Sequence, residues 1–123
     1  MFTVLTVDDD CMICDTISLY LTQKGYSVTS AASGEEALEA IDRERPNLVL
    51  LDVVMPGMGG EETLRAIKSR YTDLTVIMIT VISDTMMALK LLQEGASALI
   101  SKPINLDLLE RNISVWKMIK DCL

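Results

Sequence analysis

Five times in 123 residues, a short run of β-forming residues gives way to a stretch with helical spacing of its apolar positions. This alternation constrains the fold more than any other feature. Strands separated each time by a helix pair in parallel, and a parallel sheet needs helices on its faces. The first strand is expected over residues 2–7 (Phe-Thr-Val-Leu-Thr-Val), with Asp8, Asp9 and Asp10 forming a loop and helix cap after it. Ile13, Ile17, Tyr20 and Leu21 then recur along one helical stripe, which Gly25 ends in the C′ position. A second strand is expected over residues 27–31. Ser33 and Glu36 frame a capping box for a second helix with Ala37, Leu38 and Ile41 inward.

Pro46 interrupts the pattern before Leu48-Val49-Leu50-Leu51, the most apolar run, which ends at Asp52. A continuous run of this kind suits a central parallel strand buried on both faces. Residues 55–60 form a loop rich in Gly and Pro. The third helix carries Glu61 and Glu62 in its first turn, where the helix dipole favours acids, and turns Leu64 and Ile67 inward. Strand four is expected over residues 75–80. Asp84 is expected to cap a fourth helix ending before Gly95, and strand five spans residues 98–101. A final helix is marked by Leu106, Leu109, Ile113 and Trp116 or Ile119. Right-handed crossovers then predict a single α/β domain over residues 1–123. With the flavodoxin-like strand order 2-1-3-4-5 assumed, it is a doubly wound, five-stranded parallel sheet with five helices.

Ligands of such sheets bind beyond the strand carboxyl ends, at the switch in strand order. On that order, Asp8 and Asp9 follow strand one, Asp52 ends strand three, Thr80 ends strand four and Lys102 follows strand five. Asp8 to Asp10 alone would read as solvated cap residues; it is the convergence of all five positions that points to chemistry. Three converging carboxylates repel one another, and Mg2+, a hard cation that prefers oxygen, relieves this. Lys102 supplies a mobile point charge for a phosphoryl oxygen, and Thr80 a hydroxyl. A carboxylate can itself be the nucleophile, forming an aspartyl-phosphate. Phosphoryl transfer otherwise needs mainly positioning and neutralisation of charge.

Composition narrows the classes. The formal charge of −7, from 11 basic and 18 acidic residues, argues against direct nucleic-acid or anionic-membrane binding. There is no histidine to act as base, metal ligand or phosphocarrier, and three cysteines are too few for a disulfide scaffold or a four-Cys zinc site. No apolar run reaches the ~18 residues of a membrane span, and residues 1–10 lack the basic region of a signal peptide. Free thiols without an export signal point to the cytoplasm.

The motifs Val7-Asp8-Asp9-Asp10, Leu51-Asp52-Val53-Val54-Met55-Pro56-Gly57-Met58-Gly59-Gly60, Ile79-Thr80 and Ser101-Lys102-Pro103 stand in order across essentially the whole chain. In these residues the chain resembles the receiver domain of two-component response regulators, the CheY-like superfamily. The resemblance implies that Asp52 is the phosphoacceptor, taking its phosphoryl group from a phosphohistidine of a sensor histidine kinase or a phosphotransfer protein. It implies a Mg2+ site built from Asp8, Asp9, Asp52 and the backbone carbonyl of Val54. Thr80 becomes the switch hydroxyl, Lys102 the phosphate-binding lysine, and the peptide before Pro103 is expected to be cis. Beyond phosphorylating and dephosphorylating its own aspartate, such a domain is not an enzyme.

Three positions depart from the family pattern. Val81 stands where Ala, Gly or Ser is usual; its branched side chain is expected to narrow access to Asp52 and slow both transfer from small donors and hydrolysis. Leu99 replaces the usual switch aromatic and has no hydroxyl or ring to couple to Thr80. Gly59 replaces a common acid and is expected to loosen the start of helix three. Helix four (Thr85-Met86-Met87-Ala88-Leu89-Lys90-Leu91-Leu92) is apolar nearly all round. It is therefore either fully buried or carries a second apolar face. Ile82, Met86 and Leu89 are candidates for an interface, formed by helix four, strand five and helix five, with a downstream effector or a second copy.

Two rival readings compete. The first is a receiver-like interaction module that is not phosphorylated, with Val81 and Leu99 as its signs. The second is a thiol redox protein using the Cys11-Met12-Ile13-Cys14 pair. Three aspartates precede that pair, and negative charge disfavours the thiolate that redox chemistry needs. The Gly57-Met58-Gly59-Gly60 run lacks dinucleotide-loop spacing, and Trp116 reads as packing on helix five.

Overall fold

The computed structural model describes residues 1–81 and 85–122. Ile82 and Asp84, expected above as an interface residue and a helix cap, lie outside the described residues. The elements alternate as β1 (Thr3–Val7), α1 (Cys11–Gln23), β2 (Ser27–Ala31), α2 (Gly34–Arg43), β3 (Leu48–Asp52), α3 (Gly60–Arg70), β4 (Thr75–Thr80), α4 (Thr85–Gln93), β5 (Ala98–Ser101) and α5 (Leu106–Cys122). The five strands are parallel, as the alternation requires, and stand in the assumed order β2-β1-β3-β4-β5. β1 starts one residue later than expected, and Phe2 instead sets its ring edge-on against Tyr26, at 5.9 Å between centroids.

The period-two alternation of a strand sorts its side chains onto two faces. Leu5, Val7, Val49, Leu51, Val76 and Met78 meet Ala37 and Ile41 of α2, Leu64 and Ile67 of α3, and Leu91 of α4. Val4, Leu48, Leu50, Ile77, Ile79 and Ile100 meet Ile17 and Leu21 of α1 and Leu109 and Ile113 of α5. All of β3 is buried, so truncating Leu50 to Ala costs about 2–5 kcal/mol. Trp116 packs half-buried against the second cluster, whereas Ile119 is exposed.

Local chemistry ends the helices where the sequence places them. The Asp10 carboxylate accepts from the Met12 N–H, and the Ser33 hydroxyl from the Glu36 N–H. Gly25, at φ +96°, closes α1 in a Schellman turn: Gly25 N–H donates to Thr22 O and Tyr26 N–H to Leu21 O. Gly95 repeats this after α4, with Ala96 N–H on Leu91 O. Gly59 caps α3 with no side-chain bond. The choice left open for α4 resolves toward an outward apolar face: Leu91 is its buried residue, and Met86 and Leu89 are exposed.

Candidate functional site

Strand alternation sets the site. Asp52 extends the row Leu48, Leu50 along β3, and Asp8 extends the row Val4, Thr6 along β1. Val7 pairs with Leu51, so the next residue of each strand brings the two carboxylates together at the carboxyl end of the sheet. Both are buried, Asp8 at 4% exposure and Asp52 at 3%, while Asp9 is exposed beside them. One oxygen from each of Asp8, Asp9 and Asp52 lies within 4.8 Å of the others.

Lys102 reaches this cluster from the end of β5. Its Nζ lies 3.2 Å from Asp52 Oδ2, and its backbone N–H donates to Thr80 O at 2.8 Å. The Lys102–Pro103 peptide is cis, as expected. Thr80 is the buried last residue of β4, opposite Ser101. It continues the row of Val76 and Met78, so it sits on the α3 and α4 side of the sheet while Asp52 sits on the α1 and α5 side. The Val54 N–H donates to Asp52 Oδ1 at 3.3 Å, and the Val54 side chain is exposed, as is that of Val81. Leu99 is half-buried and packs on the first core cluster.

The electrostatics are those of an anion cluster short of positive charge. Burial, followed by the neighbouring Asp52 charge, pushes the Asp8 carboxyl up to about 6, against the N–H that Asp10 donates to its Oδ1 at 2.9 Å. Among the described residues, Lys102 is the cation paired with this cluster, one positive charge to three acids. An all-oxygen donor set with a surplus of carboxylate fits a small hard divalent cation, which keeps several waters and takes few protein ligands. This site therefore fits Mg2+.

The cysteine pair behaves differently. Cys14 is buried in α1 with its Sγ on Asp8 O at 3.5 Å, and burial together with the Asp8 charge pushes its thiol up to about 11. A redox pair needs the opposite shift. The periodic reading overlooked Cys14 as a core residue of α1, although it lies one helical turn before Ile17 and Ser18 and on the same stripe as Leu21.

Sequence reasoning also missed the two glycines that close this end of the fold. A Cβ on Gly60 would stand 2.2 Å from Asp52 O, and one on Gly34 would stand 2.2 Å from Thr63 Oγ1. Only the start of each helix at a Gly hinted at such close approaches. Among the described residues, no helix is long and apolar enough to cross a membrane.

Comparison with known proteins gives a consistent picture. The family model described as the response regulator receiver domain matches residues 4–114. The chain is 37% identical over 112 residues to a cyclic di-GMP phosphodiesterase of Thermotoga maritima, covering 91% of this chain and 30% of that protein. It is 35% identical over 113 residues to the transcriptional regulatory protein AfsQ1 of Streptomyces coelicolor, covering 92% of this chain and 50% of that protein. The chain thus spans half or less of the length of these relatives. A crystal structure of a CheY-like receiver domain protein from Methanospirillum hungatei superposes with a TM-score of 0.89 at 34% identity, covering 98% of each chain.

Proposed function

Because this chain belongs to the family of response regulator receiver domains, whose function is phosphorelay signalling, we propose that residues 1–123 form one receiver and that Asp52 is its phosphoacceptor. The observation that carries the reading is the contact of Lys102 Nζ with Asp52 Oδ2 at 3.2 Å, inside a cluster of three carboxylates at the sheet's carboxyl end. Asp8, Asp9, Asp52 and the Val54 carbonyl are the residues that would hold Mg2+. When bound, the ion neutralises the carboxylates and the incoming phosphoryl oxygens.

The chain's own residues do the rest. An Asp52 carboxylate oxygen attacks phosphorus; the new P–O bond forms as the P–N bond to the donor imidazole breaks, and the imidazole leaves with that electron pair. Lys102 passes from the carboxylate to a phosphoryl oxygen, a short move for an ammonium on a flexible stem. Thr80 donates its hydroxyl to another. Since Thr80 belongs to the α3 and α4 side of the sheet, its shift is felt by α4 and β5, and phosphorylation biases a two-state equilibrium at the surface of α4, β5 and α5. Leu99 takes part there by packing alone. The donor is a sensor histidine kinase or a phosphotransfer protein, and the exposed Met86 and Leu89 belong to the surface that meets the downstream effector or a second copy. Water attack on phosphorus later returns Asp52 and phosphate, so the only turnover is on the chain's own aspartate.

The test is intact mass after incubation with acetyl phosphate, with Mg2+ or with EDTA, on the wild type and Asp52→Asn. One phosphoryl adduct that needs both Mg2+ and Asp52 is expected. If neither acetyl phosphate nor a phosphohistidine donor leaves an adduct, the chain is an interaction module that is not phosphorylated.

A further inference from the structure

We propose that a cavity at the opposite, amino-terminal end of the sheet binds a small phosphate-bearing anion through Arg45, Lys68 and Lys120. This cavity is an open cleft where β3 and β4 begin and α3 and α5 end, with a volume of about 480 Å3. That volume falls within the range of small-molecule sites, ~300–1,000 Å3. Trp116 and Ile119 supply apolar wall; Asn47, Thr75 and Ser97 supply polar wall.

The charge there runs against the rest of the molecule. Three cations line the cavity with one carboxylate, Asp73, in a chain of formal charge −7. Asp73 is a poor counterion, since its side chain is 80% exposed and pairs with Arg45 at the surface, where such pairs contribute little. The two lysines are not splayed into water. Lys68 Nζ donates to Leu74 O and Thr72 O, and Lys120 Nζ to Asn47 O. These carbonyls position the ammonium groups without cancelling their charge, and an ammonium has three donors. Burial lowers both lysines from their usual range, and for Lys120 the Arg45 charge lowers it further. A phosphate dianion entering the cavity would neutralise the surplus, take hydrogen bonds from pre-positioned donors and displace Asp73 from Arg45. The remaining volume would admit an organic group against Trp116. Extended nucleic acid is a poor fit, because a chain of formal charge −7 repels a polyanion.

Trp116 is the only tryptophan in the chain, so its fluorescence reports the cavity. The probes are inorganic pyrophosphate and ADP, titrated in EDTA so that the carboxylate end holds no metal–phosphate complex. A saturable change is expected with both, weakening as ionic strength rises. Arg45→Gln and Lys120→Gln should each weaken it roughly tenfold or more, the loss of one charge-assisted hydrogen bond. Arg45 is exposed, and its side chain pairs with Asp73 and lies over the Tyr71 ring, so its variant keeps the test valid if Lys120→Gln destabilises the fold. No saturable change up to millimolar probe overturns the proposal, as does the same midpoint in the wild type and Arg45→Gln. A response to vesicles carrying phosphorylated lipid headgroups, but to neither soluble probe, also overturns it. Asp52 phosphorylation is measured in parallel, and its outcome leaves these titrations interpretable either way.

Discussion

Replacing Gly60 by Ala probes the joint between the phosphoacceptor strand and the helix that follows it. A Cβ at Gly60 would stand 2.2 Å from Asp52 O, 2.5 Å from Val53 Cα and 2.8 Å from Val53 O. All three are backbone atoms, so no side chain can swing aside. Carbon contacts sit near ~3.5 Å, so the first turn of α3 must withdraw by roughly 1 Å. That withdrawal stretches the Gly60 N–H bond to Val53 O, now 2.9 Å. Overpacking of this kind costs about 1–3 kcal/mol, and loss of a buried backbone bond adds about 1–3 kcal/mol. Ala regains up to ~1 kcal/mol through helix propensity. The net cost is therefore about 1–6 kcal/mol, centred near 3 kcal/mol, a large share of the ~5–15 kcal/mol typical of a domain. Urea unfolding should show the midpoint falling by about 1–2 M at unchanged slope. Gly59→Ala is the control, because nothing lies within 4 Å of its Cβ, and replacing a Gly cap costs a few tenths of a kcal/mol up to ~1. If the two variants unfold at the same midpoint, the steric reasoning is wrong.

Further outcomes follow from other features. Since burial pushes the Asp8 carboxyl up to about 6, above its ordinary value of 3.8, its protonation favours the folded state. This contribution is present below about pH 4 and lost as pH rises through 6, a change of up to roughly 3 kcal/mol. Melting in EDTA should therefore track that fall, and Mg2+ should raise Tm more at pH 7.5 than at pH 5; a flat profile would count against the burial argument. Gly25→Ala forces a side chain into φ +96°, where about 1–2 kcal/mol of stability should be lost, measured by the same urea assay. Gly59→Asp should add only a few tenths of a kcal/mol by supplying the missing cap bond; a loss of stability would show that the loop cannot present it. Val81→Ala should speed both phosphorylation by acetyl phosphate and hydrolysis, followed by intact mass over time, and unchanged rates would remove Val81 from the access argument.

Periodic features were legible in advance. β2, β4 and β5 begin and end where their residue types change, and the capping boundaries at Asp10, Ser33 and Gly25 depend on local bonds that a short segment specifies. Asp8, Asp52 and Lys102 could be placed together because parallel order and alternation dictate where strand ends meet. The close approach of Gly34 to Thr63 left no such trace, because it joins α2 to α3 across nearly thirty residues of chain. Nor did the convergence of Arg45, Lys68 and Lys120, which come from three segments with no common period. The side of the sheet on which Thr80 falls was implicit in the alternation of β4, but needed the packing of Val76 and Met78 to be seen.

The two borders of the sheet bear on how copies of this chain can associate. The inner strands β1, β3 and β4 carry the long apolar runs, and each has a neighbour on both sides. The outer strands are β2, whose Thr29 and Ser30 are exposed, and β5, only four residues long. A short or polar border is a weak template for an incoming strand from a second molecule. Half the residues are hydrophobic, yet those most prone to cross-β stacking are the ones with no open hydrogen-bonding side. Crowding should therefore drive contacts between helix faces rather than fibrils, leaving any assembly reversible.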